Sequence, residues 1–77
     1  MDKNIMAKKL KALRGDKSQA EVANAIGVTP SAYAMYEVGQ RVPRDDVKER
    51  IAAYFNRSIS YIFFDDSTHF ELANESG

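Results

Sequence analysis

Cysteine is absent from this 77-residue sequence, and histidine occurs once, as His69. A chain without cysteine has neither a disulfide framework nor a thiolate metal site, which favours a reducing compartment such as the cytosol. A single histidine, placed near the carboxyl end, excludes a histidine-based catalytic triad and a multi-histidine metal site. The composition therefore removes two common classes of catalytic centre.

Long apolar runs are absent as well. No run approaches the roughly twenty residues of a membrane-spanning helix, and the amino terminus lacks the continuous apolar core of a secretion signal. We therefore expect a cytoplasmic protein with no membrane partner. At 77 residues the chain makes one small domain, whose core leaves little room for an enclosed substrate pocket.

The acids do not form a catalytic pattern. Asp45–Asp46 and Asp65–Asp66 are adjacent pairs, and neighbouring residues of a helix point about 100° apart, which does not build a two-carboxylate site. There is also no glycine-rich phosphate loop. The sequence predicts no enzymatic activity and no cofactor.

Net charge is formally zero, but the charges are unevenly distributed. Residues 1–64 contain eleven Lys and Arg against seven Asp and Glu, a balance of +4, whereas residues 65–77 contain four acids and no base. Attraction to phosphate depends on the local field and not on the total charge. We therefore divide the chain into a basic folded domain, 1–64, and an acidic tail, 65–77, that is partly disordered or contributes to dimerisation.

The stretch 19–39 holds two short helical patterns separated by a turn. Gly27 follows the last apolar position of the first pattern, where glycine most easily adopts the positive φ of a helix end. Thr29 suits the N-cap of a second helix, and Pro30 suits its first position because the missing N–H is not needed there. This order predicts a helix–turn–helix, with its second helix over 29–37.

That second helix presents an unusual outward face. Pro30, Ser31, Ala34 and Met35 are small or uncharged, whereas a merely solvated helix normally carries Lys and Glu there. The face is typical of a surface that fits against another molecule.

Apolar spacing predicts three further helices. The first covers residues 4–14, the fourth begins with the acidic pair at 45–46, and Ser58 caps a short fifth helix. The stripe expected in the core consists of Met6, Leu10, Val22, Ile26, Tyr33, Ile51 and Phe55.

Residues 5–64 resemble the Cro/C1-type (Xre-like) helix–turn–helix family of bacterial and phage regulators. The matching positions are Ser18-Gln19, Val22-Ala23, Ile26-Gly27-Val28-Thr29, Tyr36-Glu37, Gly39, Pro43, Ile51-Ala52 and Phe55. The resemblance implies an all-α fold, a compact five-helix bundle of the lambda-repressor-like type in which the third helix is the recognition helix. It also implies sequence-specific binding to double-stranded DNA, usually as a dimer and usually to repress transcription.

The resemblance also suggests roles for individual residues. Gln19 would contact a phosphate, and Pro30, Ser31 and Met35 would face base edges, although proline stands where the family often has a polar side chain. Glu37 resembles a family glutamate that pairs with an arginine of the first helix, for which Arg14 is the candidate. The complete set of expected DNA-binding residues is Lys17, Ser18, Gln19, Thr29, Pro30, Ser31, Tyr33, Ala34, Met35, Arg41 and Arg44.

The carboxyl-terminal part carries more apolar surface than one side of a short helix can hide, which predicts an association patch and a homodimer. The residues expected in this patch are Ile59, Ile62, Phe63, Phe64 and Phe70. Two alternatives stay open. The chain could be an antitoxin or genetic-switch component that binds a protein partner through its tail, or a helix–turn–helix module that binds only protein.

Overall fold

The computed structural model describes residues 2–64. This part of the chain is all-helical and contains no strand. Its five elements are α1 (Lys3–Arg14), α2 (Gln19–Ile26), α3 (Pro30–Glu37), α4 (Asp45–Phe55) and a short π-helical element, α5 (Ser60–Phe64). The expected five-helix, all-α fold is confirmed, whereas the predictions for the tail, including Phe70, lie outside the described residues.

Local capping explains where the helices begin and end. The Asp2 carboxylate accepts a hydrogen bond from the Asn4 N–H at 2.8 Å, so α1 begins one residue before its predicted start. Gly15 ends α1 with φ of 59°, and Asn56 ends α4 in the left-handed conformation. Each helix ends at this residue because an α-helix cannot continue through a positive φ.

The core lies where α3 packs on α1 and α2, and where α4 and α5 close the other side. The predicted core stripe is buried except for Phe55, which is only half-buried. Phe55 lies in the last turn of α4, where its ring packs edge-to-face on Tyr54 with 5.0 Å between centroids. No helix within residues 2–64 is long and apolar enough to cross a membrane.

The short element α5 corrects part of the predicted association patch. Ser58 caps it as expected, because its hydroxyl accepts the Tyr61 N–H at 3.0 Å. Its π-helical winding turns both Ile62 and Phe63 into the core, where each is 1% exposed. They serve the fold of this chain and have no surface left for a partner, so their assignment to the patch was wrong. Phe64 is 58% exposed.

Candidate nucleic-acid interface

The turn between α2 and α3 is fixed by its backbone. Gly27 has φ of 76° and donates its N–H to the carbonyls of Ala23 and Asn24, while the Val28 N–H donates to the Ala23 carbonyl at 3.0 Å. Such bonds satisfy carbonyls that the end of α2 would otherwise leave open. The angle between α2 and α3 therefore depends on Gly27, because glycine adopts this positive φ without steric cost.

Two hydroxyl caps define the first turns of α2 and α3. Ser18 Oγ accepts the Glu21 N–H at 2.9 Å, and Thr29 Oγ1 accepts the Ala32 N–H at 3.1 Å. Pro30 occupies the first position of α3. The predicted cap at Thr29 and the predicted start of the following helix at Pro30 are thus confirmed, and both capping residues are exposed.

A partly buried ion pair joins α1 to α3. Arg14 donates from Nε to Glu37 Oε2 at 2.7 Å and from Nη2 to Glu37 Oε1 at 3.0 Å, a two-point contact that fixes the relative orientation of the two groups. Arg14 Nη1 also donates to the Lys17 carbonyl at 2.7 Å. The predicted pairing of Glu37 with Arg14 is confirmed.

The same carboxylate holds α2. Gln19 Nε2 donates to Glu37 Oε1 at 2.9 Å, so one N–H of the amide is used inside the protein. Its contact with a phosphate remains a prediction that depends on the other N–H. Because Glu37 receives donors from both α1 and α2, these helices are positioned relative to α3 by one side chain. We call Arg14, Gln19 and Glu37 the carboxylate joint.

The electrostatics of the carboxylate joint favour the charged pair. Burial alone would raise the pKa of Glu37, but the hydrogen bonds from Arg14 and Gln19 outweigh it and the pKa lies below its ordinary value. The hydrogen bonds to Glu37 likewise raise the pKa of Arg14 above its ordinary value. Both groups therefore remain ionised in the folded protein throughout the neutral range.

Tyr33 is a correction to the predicted DNA-contact residues. Its side chain is fully buried, so the hydroxyl cannot reach a phosphate in this conformation. Within residues 2–64 that hydroxyl has no hydrogen-bond partner at ordinary distance, although the carboxylate of Glu37 is close enough to influence its ionisation. Burial is the largest cause that raises the pKa of Tyr33 far above its ordinary range, and the carboxylate of Glu37 raises it further. The ring packs edge-to-face with Tyr36 at 6.1 Å.

The outward side of α3 is open to solvent. Pro30, Ser31 and Met35 are exposed, and Ala34 is half-buried. Met35 is 40% exposed and lies four residues after Ser31, so the two share one face of the helix. This face matches the predicted one in its residues and in its lack of charge.

A groove of about 460 Å³ runs between the starts of α2 and α3. Ser18 and Pro30 both line it, so the two predicted contact segments are brought together. It also contains Glu21 and Asn24, which sequence reasoning did not select. Their spacing with the first turn of α2 places them on its exposed side, and that periodicity could have found them.

The cationic residues predicted to contact DNA lie before α2 and after α3 in the chain. Lys17 is exposed just before α2, and Arg41 is exposed in the loop after α3. Arg44 pairs with Asp46 at 3.4 Å, but both side chains are largely exposed, and such pairs contribute little to stability. Within residues 2–64, nothing therefore holds Arg44 firmly away from an incoming phosphate.

The loop that carries Arg41 is anchored on α1. Gly39 has φ of 75°, and a Cβ placed on it would lie 3.2 Å from the Lys3 carbonyl oxygen and 3.3 Å from Asn4 Oδ1. The Gln40 N–H donates to the Met35 carbonyl at 3.0 Å. The path of the loop is thus fixed at its start by close packing.

The chain matches the helix-turn-helix family model over residues 8–62. It is 32% identical over 69 residues to the cryptic phage CTXphi transcriptional repressor RstR of Vibrio cholerae, with 87% of this chain aligned. The match covers 62% of that repressor, so the chain spans less than two thirds of its relative. Among solved structures, the solution structure of the SOS-response transcriptional repressor LexA from Eubacterium rectale superposes with a TM-score of 0.78 at 29% identity, covering 87% of this chain and 73% of that one.

Proposed function

This chain belongs to the Cro/C1-type helix-turn-helix family of DNA-binding transcriptional regulators, and on that premise we propose that it is a dimeric repressor with α3 in the major groove of its operator. The observation that carries the proposal is the outward side of α3, which is exposed and uncharged, together with the carboxylate joint that holds this helix from behind. A rigid helix with a free face is suited to entering a groove whose shape is fixed.

Base readout is carried by two side chains in this proposal. Ser31 can donate or accept a hydrogen bond at several base edges, and Met35 can contact a thymine methyl. Pro30 offers neither a donor nor an acceptor. Because none of these residues can make the two-point contact of Arg with guanine or Asn with adenine, direct readout is modest. Groove shape and DNA flexibility supply the remaining specificity.

Phosphate contacts supply most of the affinity. Lys17, Arg41 and Arg44 are exposed cations next to the start of α2 or in the loop after α3, and each phosphate they neutralise releases a condensed counterion. The exposed N–H groups at the start of α2 add a site suited to an anion. Glu21 lines the groove between the helices and repels a phosphate there. The DNA backbone is therefore expected to pass over Lys17, Arg41 and Arg44 instead.

Dimerisation is proposed through the part of the patch that the fold leaves open. Phe64 is exposed and Ile59 half-buried, and both line a groove of about 250 Å³ against α4. Two copies joined there could present two recognition helices about 34 Å apart, one turn of DNA. Support for the repressor role comes from the relatives, both of which are named as transcriptional repressors.

Selection of bound duplexes from a random library tests this proposal. The wild-type protein should select a motif with two-fold symmetry and half-sites one helical turn apart. Met35→Gln should change the preferred base at one position of each half-site, whereas Ala53→Gln, an exposed position on α4, should leave the motif unchanged. A promoter carrying the motif should be less active when the protein is present.

Each part of the proposal can fail separately. A motif without two-fold symmetry, with sedimentation as a monomer on DNA, would contradict the dimer. Higher promoter activity would overturn the repressor role. No enriched motif at all would favour a module that binds protein only.

A further inference from the structure

A second groove, of about 430 Å³, lies between α1 and the carboxyl-terminal part of the domain. Its apolar lining comes from Ile5, Ala12 and Leu13 on α1 and from Tyr61 on α5. Ile5, Leu13 and Tyr61 are only partly buried, so the groove leaves apolar surface uncovered within residues 2–64. None of these residues belongs to the predicted DNA-contact set.

The remaining lining of this groove is cationic. Lys8, Lys9 and Arg57 all border it. Lys9 Nζ donates to the Tyr61 carbonyl at 2.6 Å and lies 4.5 Å from the centre of the Tyr61 ring, while Arg57 Cζ lies 5.3 Å from the same ring. Lys9 and Arg57 thus place two positive charges at one aromatic ring, and Lys8 adds a third at the border of the groove. Such a cationic border favours a ligand that carries carboxylates.

The other two grooves have a different charge. The groove between α4 and α5 contains Asp45 and Glu49 with one lysine, and the groove between α2 and α3 contains Glu21 and no cation. Of these three grooves, only the one on α1 combines apolar surface with cations and lacks an acid. An acidic, partly apolar ligand is therefore directed to it.

The tail of the same chain has this composition. Residues 65–77 contain four acids and no Lys or Arg, and Phe70 and Leu72 are large apolar residues among them. The tail starts directly after Phe64, three residues beyond Tyr61. Six residues of extended chain reach about 20 Å, whereas the wall of α1 from Ile5 to Leu13 is about 12 Å long. The stretch from Phe64 to Phe70 is therefore longer than this wall of the groove.

We propose that the groove between α1 and α5 is the intramolecular docking site of the acidic tail, residues 65–77. Phe70 and Leu72 cover the apolar lining, and the carboxylates face Lys8 and Arg57. The docked tail also neutralises part of the basic body. This inference does not depend on the DNA-binding mode proposed above, and its test contains no DNA.

A single spin label tests the docking in the full chain. Because the sequence has no cysteine, Asn74→Cys provides the only labelling site. In a dilute ¹⁵N-labelled sample, the amide signals of Ile5, Ala12 and Leu13 should lose most of their intensity while the nitroxide is active and regain it after reduction. The loss should be independent of protein concentration and should weaken with added salt, because the charges involved border an open groove.

Matched variants separate docking from chance proximity. Phe70→Ser should restore the signals, and so should Lys8→Glu combined with Arg57→Glu. Lys11→Glu makes the same kind of charge change at an exposed position of α1 outside the groove and should leave the loss in place. The amide spectra of the variants report whether each remains folded; Lys8, Lys11 and Arg57 lie outside the buried core of residues 2–64.

Three results would overturn the proposal. One is full signal intensity along the groove with the nitroxide active. Another is broadening concentrated elsewhere, for example on α3. The third is broadening seen only when spin-labelled and ¹⁵N-labelled copies are mixed, which would mean that the groove receives the tail of a second copy.

Discussion

The inner side of α3 carries Tyr33, Tyr36 and Glu37, whereas its outer side carries Ser31 and Met35. The inner residues are buried and include a carboxylate that receives three hydrogen bonds from two other helices. The outer residues are exposed. The inner side of this eight-residue helix therefore fixes its position in the fold, and the outer side is available to contact another molecule. Substitutions should separate into effects on folding and effects on binding along this division.

The largest effect is expected at the carboxylate joint. Glu37→Gln removes the buried charge that pairs with the partly exposed guanidinium of Arg14 and should lower the free energy of unfolding by about 3 kcal/mol. Denaturant unfolding measures this loss. Glu49→Gln, the same change at an exposed site of α4, should stay within about 0.5 kcal/mol of wild type.

Acid titration gives the same substitution a second readout. Because the pKa of Glu37 is lowered in the folded state, its stabilisation is present above the ordinary glutamate value, about 4.3, and is lost as the pH falls through the folded value. The acid-induced loss of stability should be shallower in Glu37→Gln. Equal acid profiles would contradict the assigned role of this carboxylate.

The second largest effect is expected at Gly39, where the loop after α3 packs against α1. Gly39→Ala adds a Cβ at φ of 75° and 3.2 Å from the Lys3 carbonyl oxygen, so we expect a loss of about 2 kcal/mol from strain and displaced backbone. Gly27→Ala is a matched control, because Gly27 has φ of 76° and its added Cβ would meet nothing closer than Arg50 Nε at 4.0 Å. It should cost about 1 kcal/mol. Equal losses would show that the close approach at Gly39 contributes nothing.

Tyr33→Phe should have a smaller effect at neutral pH, within about 1 kcal/mol, because it removes a buried hydroxyl that lacks an ordinary hydrogen bond. The difference should appear in alkali. The phenol ionises near pH 10 in the unfolded chain, whereas burial raises its pKa in the folded state. The free energy of unfolding of the wild type therefore falls as the pH rises above about 10. The variant should lack about 1.4 kcal/mol per pH unit of this slope. Identical alkaline slopes would contradict the assignment.

Arg41→Ala should change stability least, by under about 0.5 kcal/mol, because the side chain is exposed. It should weaken binding to specific and random duplexes alike and reduce the slope of log affinity against log salt by about one unit. Fluorescence anisotropy at several salt concentrations measures both. An altered base preference with an unchanged salt slope would place Arg41 at the bases instead of the backbone.

Local signals in the sequence were sufficient for the helix ends and for the turn at Gly27, because caps and left-handed stops depend on neighbouring residues. The Arg14–Glu37 pair was found through the family resemblance. Gln19 was harder, since its orientation depends on Glu37, eighteen residues away, which competes for its amide. Ile62 and Phe63 were misassigned because a π-helical turn changes which side chains share a face, and apolar periodicity assumes an α-helix.

The outward face of α3 has a consequence for how such a regulator changes over generations. Ser31 and Met35 take no part in the carboxylate joint or in the core, so in the proposed binding mode replacements there are selected through the operator and hardly through folding. A lineage can therefore exchange its target through single substitutions without passing through unfolded intermediates. Residues behind the helix have no such freedom, and drift at Arg14 or Glu37 requires a compensating change at the other.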